Sequence, residues 1–135
     1  MASLYVDIMS MGTWVNRALL SSGYQVDDPE KCMAEIDRFF DEQNRPGGLL
    51  SENTGQILFA IGALIGKIAI KEFGGDWQTD DNDPEGELKC AVCLPNGVRF
   101  FPMERCVRRL QNGQEDSIRD YYDMIGKMAQ RHQSE

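Results

Sequence analysis

Apolar residues recur at helical spacing from the start of the chain. Leu4, Ile8, Met11, Val15, Ala18 and Leu19 share one face, and Ser21-Ser22-Gly23 supplies a stop. Gly12 interrupts this first pattern. A second helix is predicted from Asp28-Pro29-Glu30, where aspartate can cap, proline suits the first helical position and glutamate complements the positive helix end. Its apolar face is Cys32, Met33, Ile36, Phe39 and Phe40, and Asn44-Arg45-Pro46-Gly47-Gly48 breaks it. The third and longest pattern has Ser51 as its predicted cap, a broad face of Ile57, Leu58, Ile61, Leu64, Ile65 and Ile68, and Gly74-Gly75 as its stop. Gly55, Gly62 and Gly66 lie inside it. An interior glycine costs about 1 kcal/mol relative to alanine, so these positions predict close approach of a neighbouring element.

Past the double glycine the period changes. Asp76-Trp77 leads into an acidic, turn-rich stretch from Thr79 to Gly86, which predicts an exposed loop. Glu87 to Leu94 alternates as a strand, with Leu88, Cys90, Val92 and Leu94 on one face. Asn96-Gly97 then supplies a hairpin turn before Val98-Arg99-Phe100-Phe101, and Trp77 stands where a third strand can begin. Pro102 opens a short helix containing Met103, Cys106, Val107 and Leu110, which Asn112-Gly113 ends. Ile118, Tyr121, Tyr122, Ile125, Met128 and Ala129 mark a last amphipathic helix. These elements predict one α+β domain over residues 1–135: about five helices packed on a small antiparallel hairpin or three-stranded sheet, with residues 1–3 and 130–135 frayed.

A length of 135 residues lets a single domain bury its core without disulfides or metals. Fourteen basic and 22 acidic residues give a net charge of -8, which disfavours nucleic acid and anionic membranes and favours a basic protein partner. The apolar run Ile57 to Ile70 is shorter than the ~20 residues that cross a bilayer, so it predicts a buried helix rather than a span. The first residues lack a basic leader and a cleavage site, which points to the cytoplasm.

Candidate chemistry is sparse. Cys90-Ala91-Val92-Cys93 has a chelating gap, but on a strand positions three apart face opposite ways. Cys32 and Cys106 fall on apolar helix faces, so all four cysteines read as reduced packing residues. Asp81-x-Asp83-x-Glu85-Gly86 begins like a calcium loop, yet its twelfth position is Val92 and a strand follows. The sole histidine, His132, lies in the tail predicted to fray, which leaves histidine acid–base chemistry without a framework. No phosphate loop or dinucleotide fingerprint is present. These readings predict no cofactor, no metal and no catalytic residues.

Taken together, Leu64-x-Gly66, Gly74-Gly75-x-Trp77, the hairpin ending at Pro102, Arg109-Leu110-x-Asn112-Gly113 and Ser117 to Tyr122 resemble small bacterial domains of the conserved hypothetical class, including immunity proteins of polymorphic toxins. The likeness spans about residues 55–125. It implies a bacterial cytoplasmic protein and transfers no catalytic residue.

The leading expectation is a non-catalytic acidic binding domain, of the kind that neutralises a cognate toxin by blocking it. Its expected partner surface is Asp76, Trp77, Asp80, Asp81, Asp83, Glu85 and Glu87, with the carboxylates acting as a group and Trp77 either an adjacent anchor or a packing residue that covers the hairpin. Two rivals stand beside it: a small enzyme or ligand-binding protein using a pocket between the glycine-bearing helix and the hairpin, and a homodimer that buries an aromatic helix face.

Overall fold

The computed structural model describes residues 3–133. Helix α1 spans Leu4–Ser21, α2 Cys32–Gln43 and α3 Thr54–Phe73. Three short strands follow, β1 at Asp76–Gln78, β2 at Ala91–Cys93 and β3 at Arg99–Phe100. Helix α4 spans Pro102–Asn112, and a 3-10 turn at Gly113–Asp116 leads to α5 at Ile118–Gln133. The fold is α+β, five helices with one antiparallel sheet in the order β1-β2-β3. Helix α5 continues through Gln133, into the segment expected to fray; residues 1–2 and 134–135 of the expected frayed ends lie outside the described residues.

Helix α3 is the axis of the core. Every residue from Ala60 to Gly66 is buried, so the middle of the helix is enclosed on all sides rather than on one stripe. Its small residues let neighbours come close. A Cβ on Gly62 would lie 2.8 Å from Met103 Cα at the start of α4, and one on Gly66 would occupy the place of the Trp77 ring. Gly12 does not weaken α1 as an interruption but turns toward α3, where a Cβ would sit 3.5 Å from that of Ala63. Gly55 departs from the expectation, being exposed with open space around it. No described helix is long and apolar enough to cross a membrane.

The sheet is registered by a cross-strand row. Trp77 pairs with Val92, and Val92 with Phe100. Val92, Phe100 and Leu94 pack with Ala69 of α3 and with Ile125 and Ala129 of α5. The Asn96-Gly97 turn forms as the sequence predicts, with Leu94 N–H donating to the Val98 carbonyl at 2.8 Å and Gly97 at φ 90°. The Asn96 amide donates to the Met128 carbonyl at 3.3 Å, which ties this turn to α5.

Three boundaries differ from the sequence reading. Ser51 is not the cap of α3; its hydroxyl donates to the Gly48 carbonyl at 2.6 Å, and the helix begins at Thr54 after Asn53 in the left-handed region (φ 54°). Asn tolerates that conformation better than most side chains. Asp28 closes a turn, accepting from Glu30 N–H at 2.9 Å through Oδ1, and regular α2 starts four residues later. The strand expected over residues 87–94 shrinks to 91–93, because Leu88 and Lys89 bond back to Glu85 and Gly86 in tight turns and Leu88 faces solvent.

A buried polar cluster locks α2, α4 and α5 together. The Asp37 carboxylate accepts from Arg109 Nε at 2.8 Å, Ser117 Oγ at 3.0 Å, Ile118 N–H at 2.9 Å and Arg119 N–H at 3.0 Å. It therefore caps the first turn of α5 from another helix, satisfying amides that have no intrahelical acceptor and placing negative charge at the positive helix end. Arg109, only 3% exposed, also donates to Asp41 Oδ1 at 2.7 Å and lies 5.3 Å above the Phe40 ring. Burial works against its charge, and the bonds to Asp37 and Asp41 outweigh burial, so its pKa ends above the ordinary arginine value.

Candidate functional site

The acidic stretch after β1 is folded onto the start of α1. Asp81 Oδ1 accepts from Leu4 N–H at 2.9 Å, and Ser3 Oγ accepts from Val6 N–H at 3.1 Å, so the first turn of α1 is capped both locally and from residue 81. Within the loop, Asp80 Oδ1 accepts from Asn82 N–H at 3.0 Å and Asp83 Oδ1 from Glu85 N–H at 2.8 Å. These are aspartate turns, in which a short side chain replaces a backbone acceptor two residues on. The Glu85 amide, opposed by burial and helped by Lys89, holds the Asp83 carboxyl below its usual range. Lys89 reaches Asp83 at 3.5 Å and Glu85 at 3.6 Å. Gly86 is buried under this arrangement, where a Cβ would stand 2.7 Å from the Asp80 carbonyl oxygen.

Between this loop and the first turns of α1 lies a groove of about 590 Å³. Asp7, Asp81, Asp83, Glu85 and Glu87 line it, with Leu4 and Leu88 as its apolar contacts. Four residues of the expected partner surface thus come together: Asp81, Asp83, Glu85 and Glu87. Asp76 and Asp80 lie outside the lining. Trp77 packs rather than projects: its partly buried ring fills the notch over Gly66, and its indole N–H is enclosed without a partner among the described residues. The loop is exposed as the sequence predicts, and side-chain bonds pin its backbone at Asp80, Asp81 and Asp83. Asp7 joins the groove from α1 and was missed; its signal was a lone charge inside an apolar helical run.

Of the pocket expected between the glycine-bearing helix and the hairpin, the space is filled by Trp77 and Val92 over Gly66 and by Met103 over Gly62, and a small concavity of about 120 Å³ stays at Gly55, Leu58 and Leu88. Among the described residues no three His, Cys, Asp or Glu side chains are arranged to hold a metal ion. All four cysteines are free. Burial raises the thiol pKa of Cys32, pushes Cys90 up to about 11 and raises Cys106 further, which keeps these three as thiols at neutral pH. Cys90 Sγ donates to the Gly86 carbonyl at 3.2 Å, whereas Cys93 at the end of β2 is partly exposed. The side chain of His132 lies outside the described residues.

A carboxylate-lined concavity with exposed acids attracts cations, and the few apolar contacts at its edge give an entering side chain somewhere to pack. No family model, no curated protein and no solved structure matches this chain.

Proposed function

We propose that this chain is a non-catalytic protein-binding domain that presents its acidic groove to a basic surface of a partner protein. The observation that carries this reading is the convergence of Asp7, Asp81, Asp83, Glu85 and Glu87 around one concavity, in a molecule of net charge -8. Such a field accelerates encounter with a basic partner and repels acidic competitors. Leu88, 43% exposed at the edge, supplies an apolar contact that charge alone lacks. Blockade of a toxin in the bacterial cytoplasm is the task suggested by the resemblance of residues 55–125, and it requires only steric and electrostatic occlusion.

The test is association kinetics with the partner captured from the native host. Neutralising Asp83, Glu85 and Glu87 together (Asp83→Asn, Glu85→Gln, Glu87→Gln) should slow association about tenfold at low salt and flatten its salt dependence. Asp81 stays unchanged in this variant because it caps α1. An association rate indifferent to both salt and the triple substitution removes the groove from the interface.

A further inference from the structure

A second concavity lies toward the other end of α1, between that helix, α2 and the turn before α3. Its volume is about 540 Å³, within the roughly 300–1,000 Å³ usual for small-molecule sites. Its apolar lining includes the core residues Leu19 and Phe39, each 2% exposed. Trp14 and Leu49 also line it and are 50% and 49% exposed. Large apolar side chains left half in water on a concave surface are costly unless something covers them. Among the described residues the only charged one lining the cavity is Glu52, and it has no ion-pair partner there.

We infer that this cleft is a binding site for a small organic cation with an apolar or aromatic body. The body packs on Phe39, Leu19 and Ile57, the exposed Trp14 indole supplies an aromatic face, and Glu52 pairs with the cationic head. An anion has one point in its favour, the start of α3, which has no side-chain cap. A helix end is worth about half an elementary charge. Against it stand the full charge of Glu52 at the lip and the -8 of the whole molecule, so the cation wins. This site is separate from the acidic groove: the two share no lining residue.

The probe is 4-phenylbutylammonium, matched against 4-phenylbutyrate, which has a similar body and the opposite charge. Amide and indole NMR shifts of the full chain follow the titration, with the two tryptophan indoles as internal reporters. The expected result is saturable movement of the Trp14 indole and of the Asn53 and Gln56 amides, an unmoved Trp77 indole, and weaker binding of the carboxylate. Glu52→Gln should weaken the ammonium about two- to fivefold, the scale of an exposed ion pair. Trp14→Ala should abolish saturation while the spectrum keeps its dispersion; if that variant does not fold, the Glu52→Gln result decides. The inference is overturned by failure to saturate below about 10 mM, by equal or tighter binding of 4-phenylbutyrate, by indifference to Glu52→Gln, or by shifts confined to residues 79–88, which would report only general attraction to the acidic groove.

Discussion

Two regions of this molecule are built on carboxylates and use them in opposite ways. In the α2–α4–α5 junction, Asp37 spends its acceptor capacity inward on four donors: a guanidinium, a hydroxyl and two backbone amides. In the loop after β1, Asp80, Asp81 and Asp83 each use one oxygen to hold the backbone and leave the other side-chain oxygen without a backbone donor, beside Glu85 and Glu87, which face solvent. The first arrangement stabilises a fold; the second leaves a field outside it. Clustering in sequence therefore misleads about which acids matter for stability, because the cluster is the solvated set and the isolated Asp37 is the structural one.

Removing Asp37 should have the largest effect. Asp37→Ala strips Arg109 of one carboxylate while leaving it buried and uncaps α5, and breaking a buried pair of this kind costs about 3–5 kcal/mol. Urea denaturation measures it, and a loss under about 1 kcal/mol would place the junction in the same class as the loop. Next, the loop is rigid enough to resist change at its one buried glycine. Gly86→Ala should cost about 1–3 kcal/mol, since the clash is with backbone at Asp80 rather than with a movable side chain.

Asp81 stands between the two classes. As the remote cap of α1, its replacement in Asp81→Ala should lower stability by about 1 kcal/mol, whereas Asp80→Ala leaves α1 untouched. Equal effects of the two would dissolve the distinction between cap and bystander.

A pH titration of stability sharpens the comparison from a third carboxylate. Glu35 accepts from Nε and Nη2 of Arg38 and from the Gln25 backbone N–H; the Arg38 hydrogen bond is the largest influence, and together they hold its pKa at about 2, below its ordinary 4.5. The folded pKa is depressed, so this contribution is complete above about pH 4.5 and is lost as pH falls toward about 2. Glu35→Gln should flatten that part of the acid limb in thermal melts. The smallest effect belongs to the groove: the Asp83, Glu85 and Glu87 triple variant should leave the thermal midpoint unchanged within about 2 °C, as exposed substitutions usually do.

Much of the fold was legible because it is local. Helix stops at Ser22-Gly23, Gly74 and Gly113, the Asn96-Gly97 hairpin and Pro102 at the head of α4 are each set by neighbouring residues. The close approaches at Gly62 and Gly66 were also legible, since glycine in an apolar helix needs a reason. What escaped was long-range pairing. Asp37 and Arg109 are 72 residues apart, and neither periodicity nor capping preference links them. Of the acidic groove, the loop half could be read from its composition, while the Asp7 half required knowing that α1 begins beside residue 81. For Trp77 the sequence leaves packing and projection both open, because the notch that receives its ring is made by Gly66 of α3 and shows only once the sheet is folded against that helix.

The sequence distance across the Asp37 junction bears on the order in which the molecule can be assembled. A chain emerging from its amino end displays α2 long before Arg109, Ser117 and the first turn of α5 exist to receive Asp37, since those partners lie 72 to 82 residues downstream. Until then, Asp37 remains hydrated, and the face of α2 that will be covered stays open to water. Closing so long a loop comes at an entropic cost that local helices do not meet. The final helix is therefore the clasp of the fold, and any product ending before residue 109 carries α2 with its fastening residue unmatched.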